Sequence, residues 1–378
     1  MDPTLVETLT GWRRHLHAHP ELSLQERETA RFVCARLTEL DIPFESGIGG
    51  HGVVATLRRG NSNRSVGLRA DMDALPITET TGLPYASTVP GVMHACGHDG
   101  HTISLLGAAA LLARDPGWTG TVHFVFQPAE EGSGGALAML ADGLLTRFPM
   151  ERIFGYHNWP GLPPGTVAVH DGAVMAAGAR LEFRLRGRSG HAALPHETRD
   201  PMIAAAHLLL AIQSIVSRET DPLDAAVISI TTMEAGSAGN QIADQAVMRG
   251  TMRSLREDVR DATEAALRRV ADGVGRTFRV DIDVAIRRGT TVTRNQPDAA
   301  TLAAGAAAAA GLAVRRDLPP AMTGEDFGWF LREIPGAFVW IGNGDGPGLH
   351  NAGYDYNDAI LPAAATYLAG TARRARGG

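Results

Sequence analysis

The chain has 378 residues, 44% of them hydrophobic and 20% charged, with a formal charge of −6. At roughly 150 residues per domain this suggests two domains with sizeable cores, and the acidic balance gives no electrostatic reason to expect nucleic acid or an anionic membrane as partner. All 35 basic residues are Arg, which excludes a Schiff-base lysine, a pyridoxal-phosphate enzyme, a Walker phosphate loop and a Ser–Lys nucleophile pair.

In chain order, Leu5 to Leu16 and Glu26 to Leu40 carry helical spacing of apolar residues, the second with Ser23 as its cap. Val53 to Leu57 and Ser65 to Arg69 read as strands, the latter running into Ala70-Asp71-Met72-Asp73. After a loop rich in Cys and His, Thr102 to Ala113 is an apolar helix and Val122 to Phe126 a strand. Gly134 to Gly143 is helical, and a short strand through Ile153 and Phe154 leads to His157. No apolar run approaches ~20 residues, and the N-terminus, acidic at Asp2 and Glu7, has no basic-then-apolar leader pattern. Strands alternating with helices predict an α/β fold with a mixed, mostly parallel sheet sandwiched by helices, ligands arriving on loops at one edge.

The pattern changes near Ala177. Leu181, Phe183 and Leu185 alternate with Arg180, Glu182, Arg184 and Arg186, as in a half-exposed strand. A helix over Asp200 to Val216, strands over Ala226 to Thr232 and Gln245 to Arg253, a helix over Glu257 to Val274 and a strand through Val280 to Ile286 follow. That order predicts a ferredoxin-like βαββαβ module at 177–287, inserted into a domain made of 1–176 and 288–378. The Ala-rich run Ala303 to Ala310 is helix-forming rather than a linker.

The chemistry-bearing residues sit in the loops. Cys96-Gly97-His98, Glu130-Glu131 after the strand Val122 to Phe126, His157-Asn158-Trp159-Pro160 and His350-Asn351 bring a thiol, imidazoles and adjacent carboxylates next to turn residues. Cys96, His98, Glu131, His157 and His350 suit a transition-metal shell, leaving Glu130 free as a base. Each feature has a plainer reading: a Cys is usually a small buried hydrophobe, as Cys34 is here, and paired Glu usually mark a solvated helix face. Occurring together, they favour a metal site. His15, His17 and His19 do not share a helical face and read as structural. His101 reads as packed or hydrogen-bonded, His94 is open, and His196 steadies its loop. Ser189 has no triad around it. With only two Cys, one a proposed ligand, there is no disulfide framework, and a reducing cytosol is expected.

Several ordered motifs carry a resemblance over essentially the whole chain. They are Leu16 to Ser23, Arg69 to Pro76, Cys96 to His101, Pro128 to Gly132, His157 to Gly161, Gly190 to His196, Met322 to Phe327 and His350 to Asp358. The sequence resembles the di-metal amidohydrolases of the aminoacylase and carboxypeptidase clan, in the branch of hippurate hydrolase and the plant auxin–amino acid conjugate hydrolases. The resemblance implies a zinc-exopeptidase-like catalytic domain with a lid and dimerisation module. Two divalent ions (Zn, Mn, Co or Ni) are implied at Cys96, His98, Glu131, His157 and His350. Glu130 is the implied general base and Asp73 the carboxylate orienting a ligand. His191 is implied to reach a partner subunit's site and donate to the tetrahedral oxyanion, giving a homodimer or a dimer-based tetramer. Asn240, Arg253 and Gly324 are implied near the substrate. Relatives outside this branch have a His-X-Asp motif where this chain has Asp71-Met72-Asp73. The expected reaction is amide hydrolysis of an N-acyl amino acid; the rivals are a dipeptidase or carboxypeptidase of the same clan and a catalytically silent binding relative.

Overall fold

The computed structural model describes residues 1–132 and 134–376. By internal contacts the chain forms two compact units, one of Met1–Val174, Thr293–Pro319 and Asp326–Gly378, the other of Met175–Val292 and Pro320–Glu325.

The first unit is built on an eight-stranded sheet with strands in the spatial order Phe44–Ile48, Gly52–Arg59, Gly120–Gln127, Ser65–Asp71, Ile153–Pro160, Gly336–Gly344, Thr166–Ala168 and Ala313–Arg315. The four middle strands, Gly120–Gln127 through Gly336–Gly344, run parallel; an antiparallel pair flanks them on one side, and on the other Thr166–Ala168 joins antiparallel and carries Ala313–Arg315 parallel to itself. These middle strands are buried almost end to end, the signature of parallel strands covered on their faces. The helix His98–Arg114 packs on Ser65–Asp71 and against the helices Pro3–Ala18 and Leu361–Arg376, which explains why it is buried along nearly its whole length, polar first turns included.

Two local expectations change, and one strand is not anticipated by the sequence. The helix after the Cys-His loop starts at His98 rather than Thr102, so a ligand-type side chain occupies its first turn. Ser23 does not cap the second helix, which runs Arg27–Glu39; Glu21 accepts the N–H of Thr29 at 2.8 Å, and the Ser23 hydroxyl instead donates to Asp73 Oδ2 at 2.6 Å. The edge strand Phe44–Ile48 carried no alternation to find, because Glu45, Ser46 and Gly47 face solvent.

The second unit has a four-stranded antiparallel sheet in the order Ala226–Ala235, Gln245–Ser254, Ala177–Arg186 and Asp281–Arg288. Along Ala177–Arg186, Leu181, Phe183 and Leu185 point inward and Arg180, Arg184 and Arg186 outward, as their alternation demands. The inward side chains join one core with Ala204, Leu208 and Ile212 of the helix Pro201–Ser214 and Leu267 and Ala271 of the helix Glu257–Phe278. The stretch Pro201–Glu219 is long and apolar enough in composition to cross a bilayer. Here its Ala204, Leu208, Ile212 and Ile215 lie on the sheet as a core face.

Candidate metal centre

The candidate ligands of the first unit hang from the C-terminal ends of its parallel strands, where an open α/β sheet presents its functional groups. Ser65–Asp71 leads to Asp73, Gly120–Gln127 to Glu130 and Glu131, and Ile153–Pro160 itself carries His157. Cys96 and His98 flank Gly97, whose φ of 89° lies in the left-handed region. A side chain at Gly97 would also collide with Asn158 Oδ1 and the Tyr354 hydroxyl, so this turn requires glycine twice over. Gly135 is tied the same way: its missing Cβ leaves room for the Pro128 carbonyl oxygen at the turn carrying the two glutamates.

His98 and His157 are each aimed by one ring nitrogen. His98 Nδ1 donates to the Asp73 carbonyl oxygen at 2.9 Å, with Asp73 Oδ1 at 3.2 Å. Its Nε2 is buried and has no hydrogen-bond partner. His157 Nδ1 donates to the Asn158 carbonyl oxygen at 2.7 Å, which leaves Nε2, 3.3 Å from Cys96 Sγ, as a lone pair. His350 Nε2 lies 3.2 Å from Glu131 Oε1. Asp73 ties the parts together, since its Oδ2 also accepts the Glu131 backbone N–H at 2.9 Å. Two sets of ligand-type atoms share the thiol, Cys96–His98–His157 and Cys96–Glu131–His350, and a third, His98–Glu130–Glu131, brings Glu130 beside them, the atoms of each set lying within 4.8 Å of one another.

The electrostatics favour a cation. Burial works against charge on His98, but Asp71 and then Asp73 outweigh it and push the imidazole up to about 10. Burial drives His157 well below its ordinary value, aided by His101, so it is a neutral donor. Burial pushes the Cys96 thiol well up, with Glu131 and Glu130 adding to the effect. A buried nitrogen without a partner, a neutral imidazole, a thiol and a surplus of carboxylates form a donor set that bound cations complete, because thiolate and carboxylate then gain their counter-charge. The residues present therefore fit transition-metal binding.

Around this set lies a buried polar frame that sequence reasoning missed. Arg69 donates to Asp71 Oδ2 at 2.8 Å and to Asp326 Oδ1 at 3.1 Å, and Gln127 Nε2 reaches the same Asp326 oxygen at 2.8 Å. The Asp326 backbone N–H donates in turn to Glu130 Oε1 at 3.2 Å, holding the proposed base. The one signal in the sequence is an Arg and an Asp inside a strand otherwise apolar enough to be buried. His101 is the hydrogen-bonded residue expected, with Nδ1 2.6 Å from Asp71 Oδ1 and Nε2 2.6 Å from Asn158 Oδ1. Asp71, His98 and His101 also cluster, but Asp71 and His101 already satisfy each other.

The other histidines separate from the centre. His17 is buried between Asp99, at 2.8 Å, and Glu79, at 3.3 Å. His15 stacks on Phe32 and against His19. His94 is buried with neither ring nitrogen hydrogen-bonded, while His196 and Ser189 are exposed.

His191, Asn240, Arg253 and Gly324 belong to the second unit. His191 sits exposed in a two-residue strand paired with Gln241, and the Ala192 N–H donates to the Asn240 carbonyl oxygen at 3.0 Å, so these two loops are held side by side. Arg253 is half-buried beside Gly178 and donates to the Met252 carbonyl oxygen at 3.0 Å. At Gly324 a Cβ would press on Thr290 Oγ1 at 2.9 Å.

Residues 67–374 match peptidase family M20/M25/M40. The chain belongs to this family. Among its members, the hippurate hydrolase of Campylobacter jejuni is 40% identical over 361 residues, 94% of each chain. The N-acetylcysteine deacetylase of Bacillus subtilis is 40% identical over 377 residues, 97% of each chain. The crystal structure of the Bacillus subtilis YXEP protein, described as a dinuclear metal-binding M20 peptidase, superposes with a TM-score of 0.87 at 36% identity, covering 98% of both chains. For this M20 member the mostly parallel sheet with its covering helices is thus the architecture it shares with that structure, at a level of identity well above fold likeness alone.

Proposed function

We propose that the protein is a metal-dependent amidohydrolase that cleaves the amide bond of N-acyl amino acids, releasing a carboxylic acid and a free amino acid. The observation that carries this is the pair Glu130–Glu131. Glu131 lies against His350 in a ligand set with Cys96, while its neighbour Glu130, beside His98 and Glu131 but in neither set that shares Cys96, is held by the Asp326 N–H. The similarity to hippurate hydrolase and N-acetylcysteine deacetylase supports the substrate class.

Two divalent ions, from among Zn, Mn, Co and Ni, would be held by Cys96, His98, Glu131, His157 and His350, a mixed S, N and O set that does not select sharply between them. When bound, they supply Lewis acidity toward the amide carbonyl and lower the pKa of water at the site. Glu130 takes the proton of the attacking water and delivers it to the departing amine. Asp73 fixes the tautomer of His98 and the Glu131 backbone, so that both keep their direction during turnover.

The second unit, read as an inserted module, serves substrate and partner. Arg253 and Asn240 would hold the substrate carboxylate, since a guanidinium forks onto carboxylates in paired hydrogen bonds, and Gly324 would border the acyl or side-chain pocket. His191 would donate to the oxyanion of a neighbouring subunit in a homodimer or dimer-based tetramer. Its exposure in a short strand supports this reach. Two free thiols fit a reducing cytosol.

The test is elemental analysis with turnover of N-acetyl, N-benzoyl and longer N-acyl amino acids beside free dipeptides. Metal-dependent release of amino acid from the acylated series is expected, abolished by chelation. Metal bound with no hydrolysis of any acylated member would sink the reading, and preference for dipeptides would make the protein a dipeptidase. Co-refolding His191→Ala with Glu130→Gln subunits tests the shared site. Activity should return towards half of wild type per heterodimer, and inactive heterodimers would place His191 in its own chain or outside catalysis.

A further inference from the structure

Among the described residues, five other than glycine have φ in the left-handed region, and two of them, Leu24 at 67° and Ala129 at 55°, are tied to the same atom. Glu26 Oε1 accepts the Leu24 N–H at 3.0 Å and the Ala129 N–H at 2.8 Å. Ala129 immediately precedes Glu130 and Glu131. Consecutive side chains leave a chain in different directions, so the backbone angle at Ala129 sets where both carboxylates point. An L residue avoids that angle because its Cβ crowds the carbonyl oxygen. Something outside the turn must therefore hold it.

We propose that Glu26 is a positioning residue for the hydrolytic step, its carboxyl oxygen fastening the turn that aims Glu130 and Glu131. Ala129 has no solvent exposure, so without Glu26 its N–H would face a dry interior. Glu26 is itself fully buried, and its own carbonyl oxygen accepts the Ala30 N–H at 2.9 Å at the start of the helix Arg27–Glu39. The clamp thus stands on a helix end and not on a mobile loop. On the other side of the turn, the Ala129 carbonyl oxygen accepts the Gly135 N–H at 3.0 Å, so the peptide units on both flanks of Ala129 are held.

The second carboxyl oxygen, Oε2, is buried and has no hydrogen-bond partner. Burial, with Asp73 adding to it, raises the carboxyl to about 7. Oε1 can accept both N–H groups whether or not the group carries its proton, so the role needs an sp² oxygen and no charge. A glutamine supplies that oxygen; an alanine does not.

The inference rests on the amidohydrolase reading, and the experiment separates the two. Glu26→Ala and Glu26→Gln would be prepared as metal-loaded enzymes, with kcat, KM and metal content measured on the best N-acyl substrate. Hydrogen exchange would be followed in the peptide spanning Ala129. Displacing reacting groups by about 1 Å can cost on the order of 10²-fold. Glu26→Ala should therefore lose about 10²-fold in kcat with KM unmoved and exchange faster at Ala129. Glu26→Gln should recover most of both losses. Should Glu26→Ala fold poorly, Ala129→Gly gives the second arm, since glycine adopts the same angle without the Cβ clash. By removing the strain, though not the unpartnered N–H, it should recover part of the folding and turnover lost in the Glu26→Ala background. Unchanged kcat and exchange in Glu26→Ala would overturn the proposal. So would a Glu26→Gln enzyme as slow as Glu26→Ala with exchange at Ala129 still protected, because charge and not geometry would then be at stake. A wild type inert towards every N-acyl substrate would sink the functional reading, while exchange at Ala129 would still decide on Glu26.

Discussion

His98 and Asp99 are neighbours in the first turn of one helix, yet they belong to two buried polar clusters of opposite character. Asp99 faces an ion network that pairs charge with charge: His17 at 2.8 Å and Arg13 at 3.6 Å, with Arg13 also paired to Asp355 at 2.8 Å and Asp358 at 2.6 Å and only its Nη2 without a hydrogen bond. His98 faces the donor set, with Nε2 unpartnered, a neutral His157 and a thiol whose pKa burial has raised. One cluster has its counter-charges inside the protein, and the other has its donors aimed at a space a cation would fill. Buried polar groups that satisfy each other hold a fold, and those left unsatisfied are candidates for ligand binding.

The sharpest way to break this contrast is at the base. Glu130→Gln should keep fold and metal content while losing about 10²–10⁴-fold in turnover, the usual weight of general-base catalysis. A loss smaller than that in steady-state kinetics would assign the base elsewhere. The ion network should respond in stability instead. Asp99→Asn leaves Arg13 and His17 without their shared carboxylate, and breaking a buried ion pair from one side typically costs about 3–5 kcal/mol. Denaturant unfolding should register that cost while the folded fraction keeps its metal; a variant that lost metal at unchanged stability would erase the distinction between the clusters.

Asp73 lies on the border, a carboxylate that orients ligands without being assigned as one. Asp73→Asn should weaken metal affinity by about 10–100-fold, the scale of such supporting partners, as read by competition with a chelating dye. An unchanged affinity would show that the Asp73 carbonyl oxygen alone holds His98. The smallest effect concerns pH. Burial opposes charge on His17, but its bonds to Asp99 and Glu79 prevail and raise it to about 9. A raised histidine contributes stability fully below its unfolded value of about 6.5 and loses it as pH climbs through about 9. Unfolding free energy should thus fall over that window, and His17→Asn should flatten it. An identical slope in the variant would remove His17 from the account.

Much of the fold and of the donor set is legible in the amino-acid sequence. Leu181, Phe183 and Leu185 alternating with arginines fix which face of their strand is buried, because side chains on a strand alternate with a period of two. The apolar stretches place three of the four middle strands and the helices they name to within a few residues, but they do not anticipate the strand Gly336–Gly344 or the helix Leu361–Arg376. Cys96, His98, Glu131, His157 and His350 can be named as candidate ligands because thiol, imidazole and carboxylate beside glycine turns are costly to place without a use, and the folded chain brings them into shared clusters.

Tertiary structure decided what depends on partners far away in the chain. Arg69, Gln127 and Asp326 form one frame only because a strand, its neighbour and a loop some 200 residues on meet, the Gln127–Asp326 separation being 199 residues; no local pattern encodes that meeting. Ser23 has the composition of a helix cap, yet its hydroxyl serves Asp73, since the competition between a local amide and a buried carboxylate is settled by which one lies within reach. His17 and His101 read as structural from spacing and position, but the sequence does not assign them to their carboxylates, Asp99 and Asp71. Glu26 looks like the first residue of a helix, and only the folded chain brings its oxygen to Ala129. Sequence determined the periodicities and the inventory of donors, because those are local properties of the chain. Which lone pairs were satisfied and which were left open was decided by long-range packing, where hydrogen-bond partners are chosen by distance and not by order.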